Sequence, residues 1–217
     1  MSNSLYMSSK EILSELISRY PRLAPLSSRI SDFVSMLNQS WKDGGKLLVC
    51  GNGGSCADAG HIVGELMKSF KLRRPIKPEI REKLSAFPDG ESIAGSLEGA
   101  LPAISLCSQA PLMTAFMNDA DASLVFAQQV YGYGRPSDVL LAISTSGNSK
   151  NCLNAAMTAK ALGMKVVSLT GAGGGKLAKL SDILIDVPET ETFKVQELHL
   201  PVYHAVCAMV EADNFGG

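Results

Sequence analysis

Apolar positions recur at helical spacing twice before the first strand: Ile12, Leu13, Leu16 and Ile17 within residues 9–20, then Ile30, Phe33, Val34, Leu37 and Trp41 within 27–42. Pro21 and Pro25 separate these two predicted helices. Neither can bury its stripe alone, so both are expected to pack on the rest of the domain or on another subunit. The pattern then changes. Leu47-Leu48-Val49-Cys50 is an unbroken apolar run, the signature of a short buried strand, and it stops at Gly51-Asn52-Gly53-Gly54. Ser55 suits an N-cap, and residues 57–67 predict a helix.

Beyond that helix a basic, proline-bearing segment, residues 68–77, leads to two short predicted helices at 78–84 and 91–97, with Phe87-Pro88-Asp89-Gly90 as the turn between them. This is the stretch least like a βα repeat, and residues 76–101 read as an insertion. Further strands are predicted at 102–107, 138–143, 165–169 and 183–187. Helical patterns fall at 110–117, 122–132 and 151–162, with a helical turn at 177–180 and a long closing helix at 192–212. Asn118-Asp119 reads as a loop. Strands alternating with helices imply a parallel sheet covered on both faces. The expectation is a single α/β domain over 1–217, a three-layer sandwich with residues 1–45 as an N-terminal helical extension.

Composition narrows the classes without choosing one. With 217 residues, 46% apolar and 19% charged, the chain is long enough to bury one substantial core. A net charge of −1 gives no basic field for nucleic acid or an anionic membrane. No segment approaches the roughly 18 consecutive apolar residues of a membrane span. The start, Met1-Ser2-Asn3-Ser4-Leu5-Tyr6, has neither the basic region nor the apolar core of a signal peptide. Cys50, Cys56, Cys107, Cys152 and Cys207 are odd in number and show no C-x-x-C pairing, so they read as small buried hydrophobes of a reducing compartment. A cytoplasmic location is expected.

Candidate chemistry begins at the first glycine turn. Strand, glycine loop and helix start is an arrangement in which free N–H groups and the helix dipole receive an anion, although a ligand-free turn has the same signature. It is no Walker A loop, because no Gly-Lys-Ser/Thr follows. Nor is it the dinucleotide fingerprint, because Cys56 stands where the third glycine belongs and no acidic residue ends a second strand about 20 residues on. A second anion-suited turn follows the strand at 138–143: Ser144-Thr145-Ser146-Gly147-Asn148-Ser149 places four hydroxyls before a helix. One such turn could be mere capping. Two of them at strand C-terminal ends of one sheet point to a phosphorylated small molecule.

The three histidines, His61, His199 and His204, all lie in the two helices that would flank this pocket. His61 and Glu65 are one turn apart, and Gln196 and His204 fall within about 80° of each other around their helix axis. His61, Glu65, Gln196 and His204 would make an N/O ligand set acceptable to zinc or another divalent ion. Any one histidine taken alone reads equally as a satisfied core or surface residue, and spacing does not choose between His199 and His204.

These motifs carry a family resemblance. G-N-G-G-S…D-A-x-H-x-x-x-E at 51–65, Asn118-Asp119, I-S-T-S-G-N-S at 143–149 and Q-E-L-H-x-x-x-x-H at 196–204 together resemble the sedoheptulose 7-phosphate (phosphoheptose) isomerases. These are a branch of the sugar isomerase (SIS) domain superfamily, and the likeness runs from about Leu47 to Val210. It implies a SIS-type, flavodoxin-like sandwich. It also implies substrate contacts from Asn52, Gly53, Gly54, Ser55, Asn118, Asp119, Ser144, Thr145, Ser146, Ser149 and Gln196, with the serine turn on the phosphate. By the same resemblance His61, Glu65, Gln196 and His204 would be zinc ligands, which selects His204 over His199, and Glu65 with His204 would be the acid–base pair. The family converts sedoheptulose 7-phosphate to D-glycero-D-manno-heptose 7-phosphate, as homotetramers with sites at subunit interfaces.

The expected chemistry suits these residue types. Aldose–ketose isomerisation moves a proton between C1 and C2 through an enediol, which asks for a base such as Glu65 and a partner such as His204. Departures from the family pattern are the insertion at 76–101, Phe193-Lys194 in place of a small residue and arginine, and Pro201 inside the closing helix, where it frees the Glu197 carbonyl. Two other readings stay open on sequence: a non-catalytic SIS phosphosugar sensor, and an isomerase of another phosphosugar. A sensor would have no use for His61, Glu65 and His204 together.

Overall fold

Among the described residues, β1 (Leu47–Cys50), β2 (Ala103–Ser105), β3 (Val139–Ser144), β4 (Lys165–Thr170) and β5 (Ile183–Asp186) form one sheet. The computed structural model describes residues 7–216; Met1–Tyr6, the stretch on which the signal-peptide expectation rests, and Gly217 lie outside the described residues. All pairings are parallel, in the order β2-β1-β3-β4-β5, the flavodoxin-like doubly wound arrangement. The unbroken apolar runs follow from burial on both faces. Leu47, Val49, Val139, Leu141, Ile143, Val167 and Leu169 face one core, and Leu48, Cys50, Leu140, Ala142 and Val166 face the other.

The first core is closed by α1 (Ser9–Arg19), α2 (Ser27–Lys42), α3 (Gly54–Met67) and α9 (Thr192–Phe215). The second is closed by α7 (Val125–Tyr133) and α8 (Lys150–Ala161). The N-terminal helices thus pack on their own chain, through Ile12, Leu16, Ile30, Phe33, Val34 and Leu37. A capping box fixes the start of α1: Ser8 Oγ accepts from Glu11 N–H, and Glu11 accepts from Ser8 N–H. Between α1 and α2, Pro21–Leu26 forms a 3-10 turn that buries Leu23 and Leu26, an element the proline spacing concealed.

The predicted insertion forms α4 (Pro78–Leu84) and α5 (Gly90–Ser96), which pack on each other while α4 buries no residue. Its neck is narrow: Pro75 bridges Glu98, and Gly99 N–H donates to Arg74 O at 2.7 Å. Leu101 is already core, its N–H donating to Leu66 O at 2.9 Å.

Three local expectations need correction. Helix α3 begins at Gly54 with Gly53 as its cap, so Ser55 is a buried helical residue and not the N-cap. Asn118 and Asp119 are the last residues of α6 (Ala110–Asp119) and not a loop. The pattern at 122–132 splits into a 3-10 turn, Ala122–Leu124, and α7. Pro201 sits within α9 without ending it. Of the described helices, none is long and apolar enough to cross a membrane.

Candidate functional site

Two βα turns flank the point where strand order reverses. β1 and β3 are neighbours, and the chain leaves them in opposite directions, to β2 on one side and to β4 on the other. The crevice beyond the strand C-termini at such a reversal is where ligands of open α/β sheets sit. The first turn, after β1, and the serine turn, after β3, are tied there. Asn52 Nδ2 donates to Asn151 Oδ1 at 2.9 Å, and Asn151 Nδ2 donates to Asn52 Oδ1 at 2.8 Å.

The serine turn is held from below. Gly147 is at φ 64°, and a Cβ there would lie 2.0 Å from Gly174 O, so only glycine admits this contact. Gly171 N–H donates to Thr145 O at 2.9 Å, and Lys176 N–H to Asn148 Oδ1 at 3.1 Å. The Ser144 and Ser149 hydroxyls meet at 2.9 Å, and Ser149 makes no side-chain cap on α8. Ser146 is exposed and Thr145 half-buried. In the first turn the amides of Ser55, Cys56 and Ala57 are spent on Asn52 O and Gly53 O at 3.0–3.2 Å. The serine turn is therefore the better furnished of the two for an anion.

α3 and α9 run away from these turns side by side. At their near ends Gln196 lies against Gly54, where a Cβ would come within 2.5 Å of its Nε2. About two turns further along, α3 and α9 bring His61, Glu65 and His204 together. His61 Nε2 is 3.2 Å from Glu65 Oε1 and 3.4 Å from His204 Nε2. Glu65 Oε2 accepts from Lys68 Nζ at 3.2 Å. His61 and His204 rings pack edge to face at 4.9 Å, with Phe70 5.7 Å from His204. Burial, seconded by His61, lowers the His204 pKa, and Glu65 opposes this. His204 also lines a groove of about 430 Å³ with Phe70, Arg19, Tyr20 and Pro201, so the cluster is reachable from outside.

Two residues with no role assigned from sequence complete this cluster. His61 Nδ1 is 3.1 Å from Tyr203 Oη, and Tyr203 Oη donates to Asp58 Oδ1 at 3.1 Å. Burial raises the Asp58 pKa, and burial with Asp58 as neighbour raises that of Tyr203. Asp58 precedes His61 by one turn and Tyr203 adjoins His204, but nothing in either spacing shows that they meet.

A buried ion pair braces the end of α3. Arg74 Nε donates to Glu211 Oε1 at 2.6 Å, while its other nitrogens donate to Leu66 O at 2.8 Å and Glu65 O at 3.0 Å. Glu211 also accepts the N–H groups of Phe70, Lys71 and Leu72 at 2.7–3.0 Å. Arg74 and Glu211 are both fully buried.

Of the sequence-predicted ligand set, His61, Glu65 and His204 converge, and Gln196 stays by Gly54. Two ligands about 2.0–2.1 Å from a tetrahedral zinc stand about 3.3–3.4 Å apart. The two spacings at His61 are of this size, and the donors are of the N/O kind. Among the described residues no three or more His, Cys, Asp and Glu side chains are placed so that they could hold a metal ion as they stand. Neither ring nitrogen of the buried His199 has a well-formed hydrogen bond among the described residues, and burial, weakly opposed by the Thr170 backbone, pushes its pKa down to about 4. Asn118 and Asp119 are exposed and bond to each other at 2.8 Å, with no recorded contact to the two turns.

The SIS domain family profile matches residues 13–85 and 82–171. Phosphoheptose isomerase from Rhodospirillum rubrum is 38% identical over 191 residues, covering 88% of each chain. That from Akkermansia muciniphila is 35% identical over 198 residues, 91% of this chain and 92% of its own. Among solved structures, phosphoheptose isomerase from Neisseria gonorrhoeae superposes with a TM-score of 0.70 at 31% identity, covering 94% of this chain and 93% of that one.

Proposed function

This chain belongs to the SIS domain family and, within it, to the phosphoheptose isomerases, and we infer that it interconverts sedoheptulose 7-phosphate and D-glycero-D-manno-heptose 7-phosphate. The observation that carries this reading is the disposition of two chemistries along α3 and α9. Anion-suited turns lie at one end, and the His61–Glu65–His204 cluster lies about 10–12 Å further on, by helical rise. A sugar phosphate laid along this span has its phosphate on the serine turn and its carbonyl end at the cluster.

In this reading Glu65 takes the proton that moves between C1 and C2, and His204 gives and receives protons at the sugar oxygens. The two Glu65 oxygens face different neighbours, Oε1 towards His61 and Oε2 towards Lys68. One oxygen can thus transfer a proton while the other keeps its contact. Asn52, Gly53, Gly54 and Ser55 line the first turn, while Gln196, Asn118 and Asp119 contribute to the sugar-binding surface. His61, Glu65 and His204, with Gln196 as a fourth donor after a side-chain adjustment, would hold zinc or a similar ion. Such an ion would polarise the substrate carbonyl and stabilise the enediolate.

The enzyme is proposed to work in the cytoplasm as a homotetramer with sites at subunit interfaces. Support comes from surfaces the single chain leaves uncovered. Neither α4 nor α6 buries a residue, and Ile80, Phe87, Ile93, Leu97, Leu112 and Met117 are exposed. Incubating purified protein with sedoheptulose 7-phosphate and separating the products tests the reaction. Appearance of the aldoheptose phosphate is expected, and recovery of unchanged ketose at all enzyme concentrations would overturn the reading.

A further inference from the structure

We propose that Asp58 and Tyr203 are positioning residues that hold His61 in its Nδ1–H tautomer, so that the Nε2 lone pair is presented to Glu65 and His204. The inference follows from counting hydrogens. A tyrosine hydroxyl has one proton to give. Asp58, as a carboxylate, can only accept, and its Oδ1 takes that proton at 3.1 Å. Its Oδ2 is buried and meets no partner among the described residues, so Tyr203 is the donor on which Asp58 depends. With its proton committed, Tyr203 Oη can only accept from His61 Nδ1, 3.1 Å away. The proton of a neutral His61 is then on Nδ1, because the partner of one ring nitrogen decides the state of the other.

The consequence appears on the other side of the ring. His61 Nε2 and Glu65 Oε1 become two acceptors 3.2 Å apart with no hydrogen between them, and His204 Nε2 lies 3.4 Å from the same His61 nitrogen. Two facing lone pairs repel unless a cation stands between them. This is the arrangement of a ligating histidine whose outer nitrogen is oriented by a second group. The edge-to-face packing of the Tyr203 ring on both His61, at 5.6 Å, and His204, at 4.9 Å, fixes the rings as well as their protons. Neither residue needs to touch substrate. The metal half of this inference rests on the ion proposed above, and the tautomer half does not.

The test uses the full-length protein without added metal and reads the histidine rings by long-range proton–nitrogen NMR at about pH 8.5, well above the ordinary histidine range. With three histidines the spectrum is assignable by single substitution. The expected result is an Nδ1–H His61. In Asp58→Ala the freed Tyr203 hydroxyl can donate to Nδ1, so His61 should switch to Nε2–H, and in Tyr203→Phe the Nδ1–H preference should be lost. Either variant suffices if the other fails to give a dispersed spectrum. In parallel, zinc affinity is measured by competition with a chromophoric chelator. Both variants should bind about 10- to 100-fold more weakly, the usual effect of removing an outer-shell partner, while Tyr131→Phe on the exposed face of α7 should bind as the parent does. An Nε2–H or imidazolium His61 in the parent protein, or an unchanged ring in both variants, overturns the positioning role. Parent protein that binds no zinc overturns the metal reading and leaves the ring spectra to decide the tautomer.

Discussion

Glu65 is the residue on which the proposed chemistry turns, and its surroundings make a clean substitution possible. Its backbone carbonyl is held by Arg74, and among the described residues its side chain hydrogen-bonds only His61 and Lys68. Glu65→Gln keeps the shape and removes the base, so kcat is expected to fall by about two to four orders of magnitude with the fold intact. A variant within a few fold of the parent rate would remove Glu65 from the role. His199 makes a different prediction. Burial holds it neutral in the folded protein, with a pKa of about 4 against an ordinary value near 6.5. Below pH 6.5 the unfolded chain binds a proton that the folded one refuses, so stability present above that pH is lost as pH falls towards 4. Between pH 7 and 4.5 this amounts to about 2–3 kcal/mol. Urea unfolding at the two pH values should show a correspondingly smaller loss in His199→Phe, and equal losses would mean that His199 charges freely in the fold.

At the scale of elements, the buried Arg74–Glu211 pair joins the end of α3, the segment entering the insertion and the C-terminal part of α9. Buried ion pairs are often replaceable by apolar residues at little cost. This one should not be. Glu211 satisfies three backbone N–H groups and Arg74 two carbonyls, so Arg74→Met with Glu211→Leu would strip the Phe70, Lys71 and Leu72 N–H groups and the Glu65 carbonyl of these partners, while the Leu66 carbonyl would keep the Leu101 N–H. Both that double variant and Glu211→Gln are expected to lose about 3 kcal/mol or more in urea unfolding. A double variant as stable as the parent would show that the loop finds other partners. The serine turn acts on affinity instead. Replacing Ser144, Ser146 and Ser149 by alanine should weaken binding of a sugar phosphate far more than of the unphosphorylated sugar in calorimetry. Equal weakening of both would move the phosphate to the first turn.

For the whole molecule, the question is what covers the outer helices. The excursion carrying α4 and α5 leaves Ile80, Phe87, Ile93 and Leu97 exposed, more apolar surface than a short two-helix unit retains without a neighbour. Its neck lies at Pro75–Glu98, and residues from Gly99 to Leu101 already belong to the main body. The excision that respects this removes Ile76–Leu97. Light scattering is expected to report a smaller assembly for the shortened protein while its circular dichroism stays that of the fold. An unchanged assembly with unchanged substrate affinity would make the excursion a surface elaboration of its own subunit.

The sequence alone was enough to determine the alternation of buried strands with helices, the places of the two βα turns and the family. These depend on local periodicity and on residues adjacent in the chain: an apolar run such as Val139–Ile143 buries both faces, and His61 and Glu65 share a helix face by spacing alone. Local signals misled where tertiary packing overrode them, as at Ser55, buried one residue inside α3, and at Asn118-Asp119, where a loop-like pair closes a helix. Strand order came through the family resemblance and not through periodicity, and the lock between the two turns by Asn52 and Asn151, 99 residues apart, was beyond sequence reach. So were the Tyr203–Asp58 contact across 145 residues and the Arg74–Glu211 pair across 137. Periodicity tells which way a side chain faces from its own element, but a hydrogen bond also requires the partner's element to be set at one height and rotation against it, and that is decided only when the helices pack on the sheet.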